Sequence, residues 1–326
     1  MNDNAQTTTI ELLKNRLAEL GYAHDSFKLN TTNFTQFTAP SGQLWLTESS
    51  RIAYPFTNIT AKRVSNFKNL AYALATRLGV QVPFTATLDS QVDNSSLYAE
   101  LLQYMPLIVK PNSASLSRGL TLNITDVATL AQAIKVASAF SDLVLVQKQL
   151  RGEEVRFIVV GDTVKAALLR QTPRVTGDGT STLAKLIETE NNLRKHSAVL
   201  YPQLTDKIID PKLDLQLVPA AKEMIELGRG TMIARGASMY NVYKEVHPSY
   251  IALAEKLAGA IGTGFVAVDI FIKDYSSELN NNDYAFIEYS MSPVLNLLYR
   301  CRDGNHYDIL SDLIPLIDAR LNGGLV

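Results

Sequence analysis

A single cysteine, Cys301, is all the chain carries. That excludes an intrachain disulfide and any zinc site built from several thiolates, and it suits a reducing compartment. Long apolar runs are missing too. No stretch approaches the roughly 20 residues of a membrane span. The first residues, MNDNAQTTTIELLKNRL, show no basic patch followed by an apolar segment, so no signal peptide is expected. Surplus charge is absent as well. The formal net charge is −1, and neither sign builds the field of a nucleic-acid or membrane-surface binder. These absences point to a cytoplasmic protein with no nucleic-acid and no membrane partner. Neither familiar nucleotide cradle is present: there is no G-x-x-x-x-G-K-S/T and no strand-linked G-x-G-x-x-G. His24, His196 and His306 show no ligand spacing to one another, so no metal role is assigned to them.

What is present fits a globular protein with a substantial core. The 326 residues amount to two or three domain lengths, with 46% apolar and 19% charged residues. Residues 8–21 place Ile10, Leu13, Leu17 and Leu20 at helical spacing and end at Gly21. A threonine-rich stretch around Trp45 reads as strands and turns. Residues 66–78 read as a helix capped by Asn66 and ended by Gly79, and 126–140 as a helix capped by Asp126. Residues 107–111 (LIVKP) read as a strand running into a loop of small residues, 112–119. LVLVQ, VRFIVVG and TVKAALLR read as three strands, the last two joined at Gly161-Asp162. Helices are expected over STLAKLIETENNLRKH, over 250–262, and over a last segment interrupted by Pro315. Helices and strands in separate blocks indicate an α+β or α/β architecture with more than one lobe.

Two late strands carry the first chemical signal. In 265–272, Val266, Val268, Ile270 and Ile272 share one face and Asp269 takes the other; in 284–290, Glu288 and Ser290 share a face. If the two strands pair antiparallel through the 274–283 loop, Asp269 and Glu288 converge. Two carboxylates in one place need a cation or donors between them, and Mg²⁺ is held by one or two carboxylates together with phosphate oxygens. The alternative is a solvated sheet face with two unrelated acids. Lys110, at the end of its strand and before a small-residue loop, can meet phosphate as a point charge. Lys68 sits near the start of its helix. Taken alone, either lysine reads first as a surface charge.

Taken in order, the pieces resemble ATP-grasp carboxylate–amine ligases, above all the ATP-grasp domains of cyanophycin synthetase and of the bifunctional glutathione-forming enzymes. Asn66-Phe67-Lys68 through Gly79-Val80-Gln81-Val82-Pro83 resembles the family's helix with its first nucleotide lysine and "GVPVP". Ile108-Val109-Lys110-Pro111 with Ser117-Arg118-Gly119-Leu120 is similar to "VVKP…GRGV". Residues 146–156, from Val146 through Gly152 to Arg156, resemble "VExxxxGxDxR". Residues 174–183 nearly match "xVxGDGxxTI". Glu245-Val246-His247-Pro248, Val268-Asp269 and Ile287-Glu288 follow in the family's order.

The resemblance implies an α+β ATP-grasp fold, two lobes clasping ATP. A small N-terminal region, 1–65, would precede an ATP-grasp body, 66–326, with 84–150 as the smaller nucleotide lobe and 151–326 as the larger metal and substrate lobe. It implies that Lys68 and Lys110 contact ATP phosphates. Backbone groups of Gln147, Lys148, Gln149 and Leu150 would form the adenine hinge, and Glu154 would accept from the ribose hydroxyls. Asp269 and Glu288, with Ser290, would hold Mg²⁺, with Mn²⁺ as an alternative. Arg156 and Arg170 would face the phosphates or the acyl phosphate. The implied activity is ADP-forming ligation: a carboxylate is activated as an acyl phosphate and joined to an amine, with amino-acid or peptide-like substrates and a homodimer as the assembly. The alternatives are a non-catalytic ATP-binding relative and an ATP-grasp enzyme of another reaction type. Departures fall on ligand-facing loops. Ser290 stands where the family usually has Asn, Gln147 replaces the hinge acid, and Ser113, Ala114 and Ser117 replace glycines.

Outside these motifs, His247 reads as a helix cap or, alternatively, a catalytic base. Asp178 between two glycines reads as a turn residue. Cys301 reads as an ordinary small side chain. Arg300 and Arg302 read either as reaching an acidic substrate or as solvated charge.

Overall fold

A computed structural model describes residues 7–115, 117–196, 201–228 and 230–323. The chain opens with α1 (Thr9–Ala18), where Thr8 accepts from Glu11 N–H and Ile10, Leu13 and Leu17 are buried. A three-stranded antiparallel sheet follows: β1 (Ala23–Leu29), β2 (Thr32–Thr38) and β3 (Leu44–Glu48). Then come α2 (Ile59–Asn66) and α3 (Lys68–Arg77). The single helix expected over 66–78 is therefore corrected. Asn66 closes α2, the chain kinks at Phe67, and α3 starts with no side-chain cap from its own N-terminus.

The next segment builds a four-stranded antiparallel sheet. It contains β4 (Thr85–Asp89), α4 (Tyr98–Leu101), β5 (Leu107–Pro111), β6 (Thr121–Ile124), α5 (Val127–Ser138) and β7 (Leu143–Lys148), with strand order β4-β7-β5-β6. Asp126 caps α5 by accepting from Thr129 N–H. Leu130, Ala133, Ile134 and Ala137 of that helix close a core against Leu107, Val109, Val144 and Val146.

The rest of the chain centres on a five-stranded antiparallel sheet of order β12-β9-β8-β13-β14. Its elements are β8 (Glu153–Val160), β9 (Thr163–Gln171), β10 (Arg174–Thr176), α6 (Leu183–His196), β11 (Met224–Glu226), β12 (Ser238–Asn241), α7 (Pro248–Ile261), β13 (Phe265–Ile272), β14 (Tyr284–Ser290) and α8 (Leu310–Leu321). The strands β10 and β11 pair separately beside α6. At the entry to β8, Gly152 has φ +145°, and a Cβ there would sit 2.6 Å from Ile272 O, so only glycine lets this turn close on β13.

Alternation gives the five-stranded sheet two unlike faces. One is apolar throughout: Val155, Phe157, Val266, Val268 and Ile270 pack with Ala71 and Tyr72 of α3 and Leu257 of α7. The other is divided along the strands. Ile158, Val160, Ala166, Leu168, Phe265 and Ala267 share a core with α1, α8 and the N-terminal sheet. Further along the same face, in register, stand Glu154, Arg156, Arg170, Asp269 and Glu288. The N-terminal sheet packs on the dry half of that face.

Candidate active site

The expected convergence of Asp269 and Glu288 is present. They are direct cross-strand partners on β13 and β14, and the register shifts just beyond Asp269, so a bulge sits beside the acidic pair. On the other side of Asp269 its partner is Arg156 of β8. Asp269 is only 1% exposed. Both its oxygens lie in the Arg156 fork, with Nε–Oδ1 at 2.7 Å and an Nη–Oδ2 contact of 2.6 Å. Arg170 stands 3.8 Å from Asp269 Oδ2 and bonds Glu154 at 2.5 Å. The Thr231 hydroxyl donates to the other Glu154 oxygen at 2.7 Å. Burial pulls the Arg156 pKa down, but Asp269 beside it more than offsets this and holds it well above the ordinary value. Burial pushes Glu154 up, against the pull of Arg170. Sequence reasoning missed Thr231, which has no motif signal.

Lys68 joins the two sheets. It is 9% exposed, donates to Ala114 O in the loop after β5 at 2.9 Å, and stands 3.6 Å from Glu288. Burial lowers its pKa, Glu288 raises it, and Lys110 lowers it again. Lys110 donates to the Tyr72 hydroxyl at 3.0 Å. The first turn of α3 is capped from outside. Asn112, 1% exposed, accepts from Asn69 N–H through Oδ1 at 2.9 Å, while its carbonyl accepts from Lys68 N–H at 3.2 Å. Asn112 thereby ties the loop after β5 to the helix that carries Lys68.

The hinge residues lie at the end of β7. Lys148 N–H is bonded to Phe84 O and Gln149 N–H to Pro106 O. The donors of the middle two residues are thus used by the fold, which narrows the hinge expected over 147–150 to its remaining groups. Gln147 is fully buried, and its Nε2 donates to Thr85 at 2.6 Å. The Phe84 and Tyr104 rings stack at 3.6 Å nearby. Glu154, expected at a ribose, has both oxygens engaged within the ionic row.

The donor set suits a divalent cation. Asp269, Glu288 and Ser290 offer only oxygens on one sheet face, and each Asp269 oxygen keeps a second lone pair beyond the Arg156 fork. Among the described residues, no cluster of three or more His, Cys, Asp or Glu is placed around one point. Two carboxylates and a hydroxyl fit Mg²⁺, which takes few protein ligands and fills the rest with phosphate oxygens and water.

No family profile matches the chain. It is 28% identical over 235 residues to the glutathione biosynthesis bifunctional protein GshAB of Mannheimia succiniciproducens, covering 67% of this chain and 31% of that one. The GshAB of Streptococcus agalactiae is 28% identical over 222 residues, covering 64% and 29%. A crystal structure of a bifunctional glutathione synthetase from Pasteurella multocida superposes with a TM-score of 0.64 at 19% identity, covering 97% of this chain and 45% of that one. The chain is thus similar to ATP-grasp carboxylate–amine ligases. A D-alanine–D-alanine ligase from Bacillus anthracis shares the ATP-grasp fold at a TM-score of 0.51 and 16% identity, covering 82% and 71%. The chain spans about a third (31%) of the length of the curated relatives it matches.

His247 caps α7, its Nδ1 accepting from Ser249 N–H. Asp178 accepts from the backbone of Thr180 and Ser181, a turn as expected. Cys301 is buried, which pushes its thiol up to about 12. Arg302 is not solvated charge: it pairs with Glu190 at 2.6 Å.

Proposed function

We propose that the protein is an ADP-forming ligase that uses ATP and Mg²⁺ to activate a carboxylate as an acyl phosphate and then joins it to an amine. The observation that carries this is the Lys68 bridge: Lys68, at the start of the helix packed on the large sheet, donates to Ala114 O after β5 of the small sheet and stands 3.6 Å from Glu288 in the acidic row. Four cations, Lys68, Lys110, Arg156 and Arg170, stand with three carboxylates, Glu154, Asp269 and Glu288. A triphosphate placed there exchanges internal partners for phosphate oxygens.

In this mechanism Asp269, Glu288 and Ser290 would hold the cation, which would supply charge neutralisation to the transferring phosphoryl group. Lys110 and Lys68 orient the phosphates. Arg156 and Arg170 meet the charge that develops as the phosphoryl group moves, an electrostatic role that needs rigid donors in a dry site. The loop 112–119, tied down by Asn112, keeps water from the acyl phosphate before the amine attacks. Residues 66–326 form the catalytic body, with 84–150 as the small lobe, 151–326 as the large lobe and 1–65 preceding them. The protein acts in the cytoplasm on amino-acid or peptide-like substrates, as a homodimer, without nucleic acid or membrane. The net charge of −1 builds no field for a nucleic-acid partner.

A pooled amino-acid and dipeptide screen tests the proposal, reading ADP release and the masses of condensation products from the same wells. Product masses equal to two substrates less water support it. ATP binding with no turnover on any mixture points instead to a non-catalytic binder, and phosphate retained on a stable product to a phosphotransferase.

A further inference from the structure

Beyond the ionic row there is an open cavity of about 480 Å³ lined by α6, the β10–β11 pair and the edge strand β12. That volume suits a small ligand of amino-acid to dipeptide size. Its walls are of two kinds. Leu186, Leu193 and Met224 give it an apolar side, and Arg302, Arg174 and Ser238 a polar one.

The polar side carries more positive than negative charge. Arg302 and Arg194 both bond the same carboxylate, Glu190, at 2.6 and 2.7 Å, and both reach the Ser238 hydroxyl, at 3.1 and 3.3 Å. The Tyr201 ring lies between these guanidinium groups, 5.7 Å from each. Arg174 is paired with Glu153 at 3.0 Å, but its Nε is buried with no hydrogen-bond partner among the described residues. Of the side chains that line the cavity, two are guanidinium groups, Arg302 and Arg174, and one is a carboxylate, Glu190, and Arg174 adds an orphaned donor. A buried donor without a partner is costly unless a ligand answers it.

We infer that this cavity binds a small molecule with a free carboxylate and an apolar side chain, an amino acid or a short peptide. The carboxylate sits against Arg302 and Arg174, and the side chain lies along Leu186, Leu193 and Met224. Gln171 of the cavity wall directly follows Arg170 of the ionic row, about 3.8 Å away along the backbone. The identification of this molecule as a substrate rests on the ligase proposal; the binding itself does not.

Calorimetric titration of the whole protein with Leu-Leu and with its C-terminal amide tests the inference. The free acid is expected to bind and the amide to bind at least tenfold more weakly. Arg302→Gln should weaken the acid at least tenfold and leave the amide unchanged. Leu193→Glu, at a position 59% exposed, should also block the acid without disturbing the fold. Equal binding of acid and amide, absence of binding by both, or acid binding unaffected in both variants would overturn it. A parallel titration with ATP and Mg²⁺ separates the two ideas: loss of nucleotide binding contradicts the ligase proposal and leaves the cavity result standing.

Discussion

Arg156 and Asp269 face each other across β8 and β13, with two hydrogen bonds of 2.7 and 2.6 Å joining guanidinium to carboxylate. Asp269 is almost wholly buried, so the pair is more than decoration. Removing one partner strands a charge where water cannot reach it. Arg156→Met should therefore destabilise the protein by about 3–5 kcal/mol. The double variant with Asp269→Asn should recover part of that loss. Urea unfolding of the three variants measures it; additive losses would show that the two groups do not depend on each other.

The two lysines should separate. Lys110 holds only a hydroxyl of Tyr72 at 3.0 Å, so Lys110→Ala should leave the melting temperature nearly unchanged while lowering kcat by about 10²–10³-fold. Lys68 is buried, and Lys68→Ala leaves Ala114 O without its donor, adding about 1–3 kcal/mol of destabilisation to the lost activity. Steady-state kinetics beside thermal melts distinguish the two patterns.

Asn112 caps α3 from a different element. Asn112→Ala should cost about 1–2 kcal/mol, the scale of a lost N-cap. It should also raise KM for ATP, because the helix it fixes presents Lys68. A melt shifted with KM unchanged would limit Asn112 to stability.

Much of this was readable in the sequence, for identifiable reasons. The alternation in 265–272 separates Asp269 from four branched residues, and one antiparallel pairing then suffices to bring it to Glu288. Asp126 and His247 cap helices because their side chains reach the exposed N–H groups of their own first turns. What escaped depends on distant partners. The break at Phe67 and the cap from Asn112 join residues 43 positions apart. The Arg156 fork on Asp269 spans 113 positions, and Thr231 reaches Glu154 across 77. Local patterns show which side chains share a face, not which partner each one takes. The same limit hid Arg302, whose neighbour in sequence is an inert cysteine and whose partner in space is Glu190.

Cys301 supplies a pH test. Its thiol is raised by burial from 9.0 to about 12, so the folded state keeps a proton that the unfolded chain gives up. The stability it contributes is full below pH 9 and falls as pH rises from there towards 12. At pH 8 the native protein should resist thiol-modifying reagents, and the urea-unfolded protein should react with one equivalent. Fast labelling of the native protein would contradict the burial.

The account depends most on a triphosphate gripped through a divalent cation at Glu288 and Asp269. Calorimetric titration of ATP into wild type and Glu288→Ala, each with and without Mg²⁺, tests this directly. In wild type, Mg²⁺ should tighten binding at least tenfold, and in Glu288→Ala that gain should vanish while the fold persists. An equal Mg²⁺ effect in both proteins would contradict it.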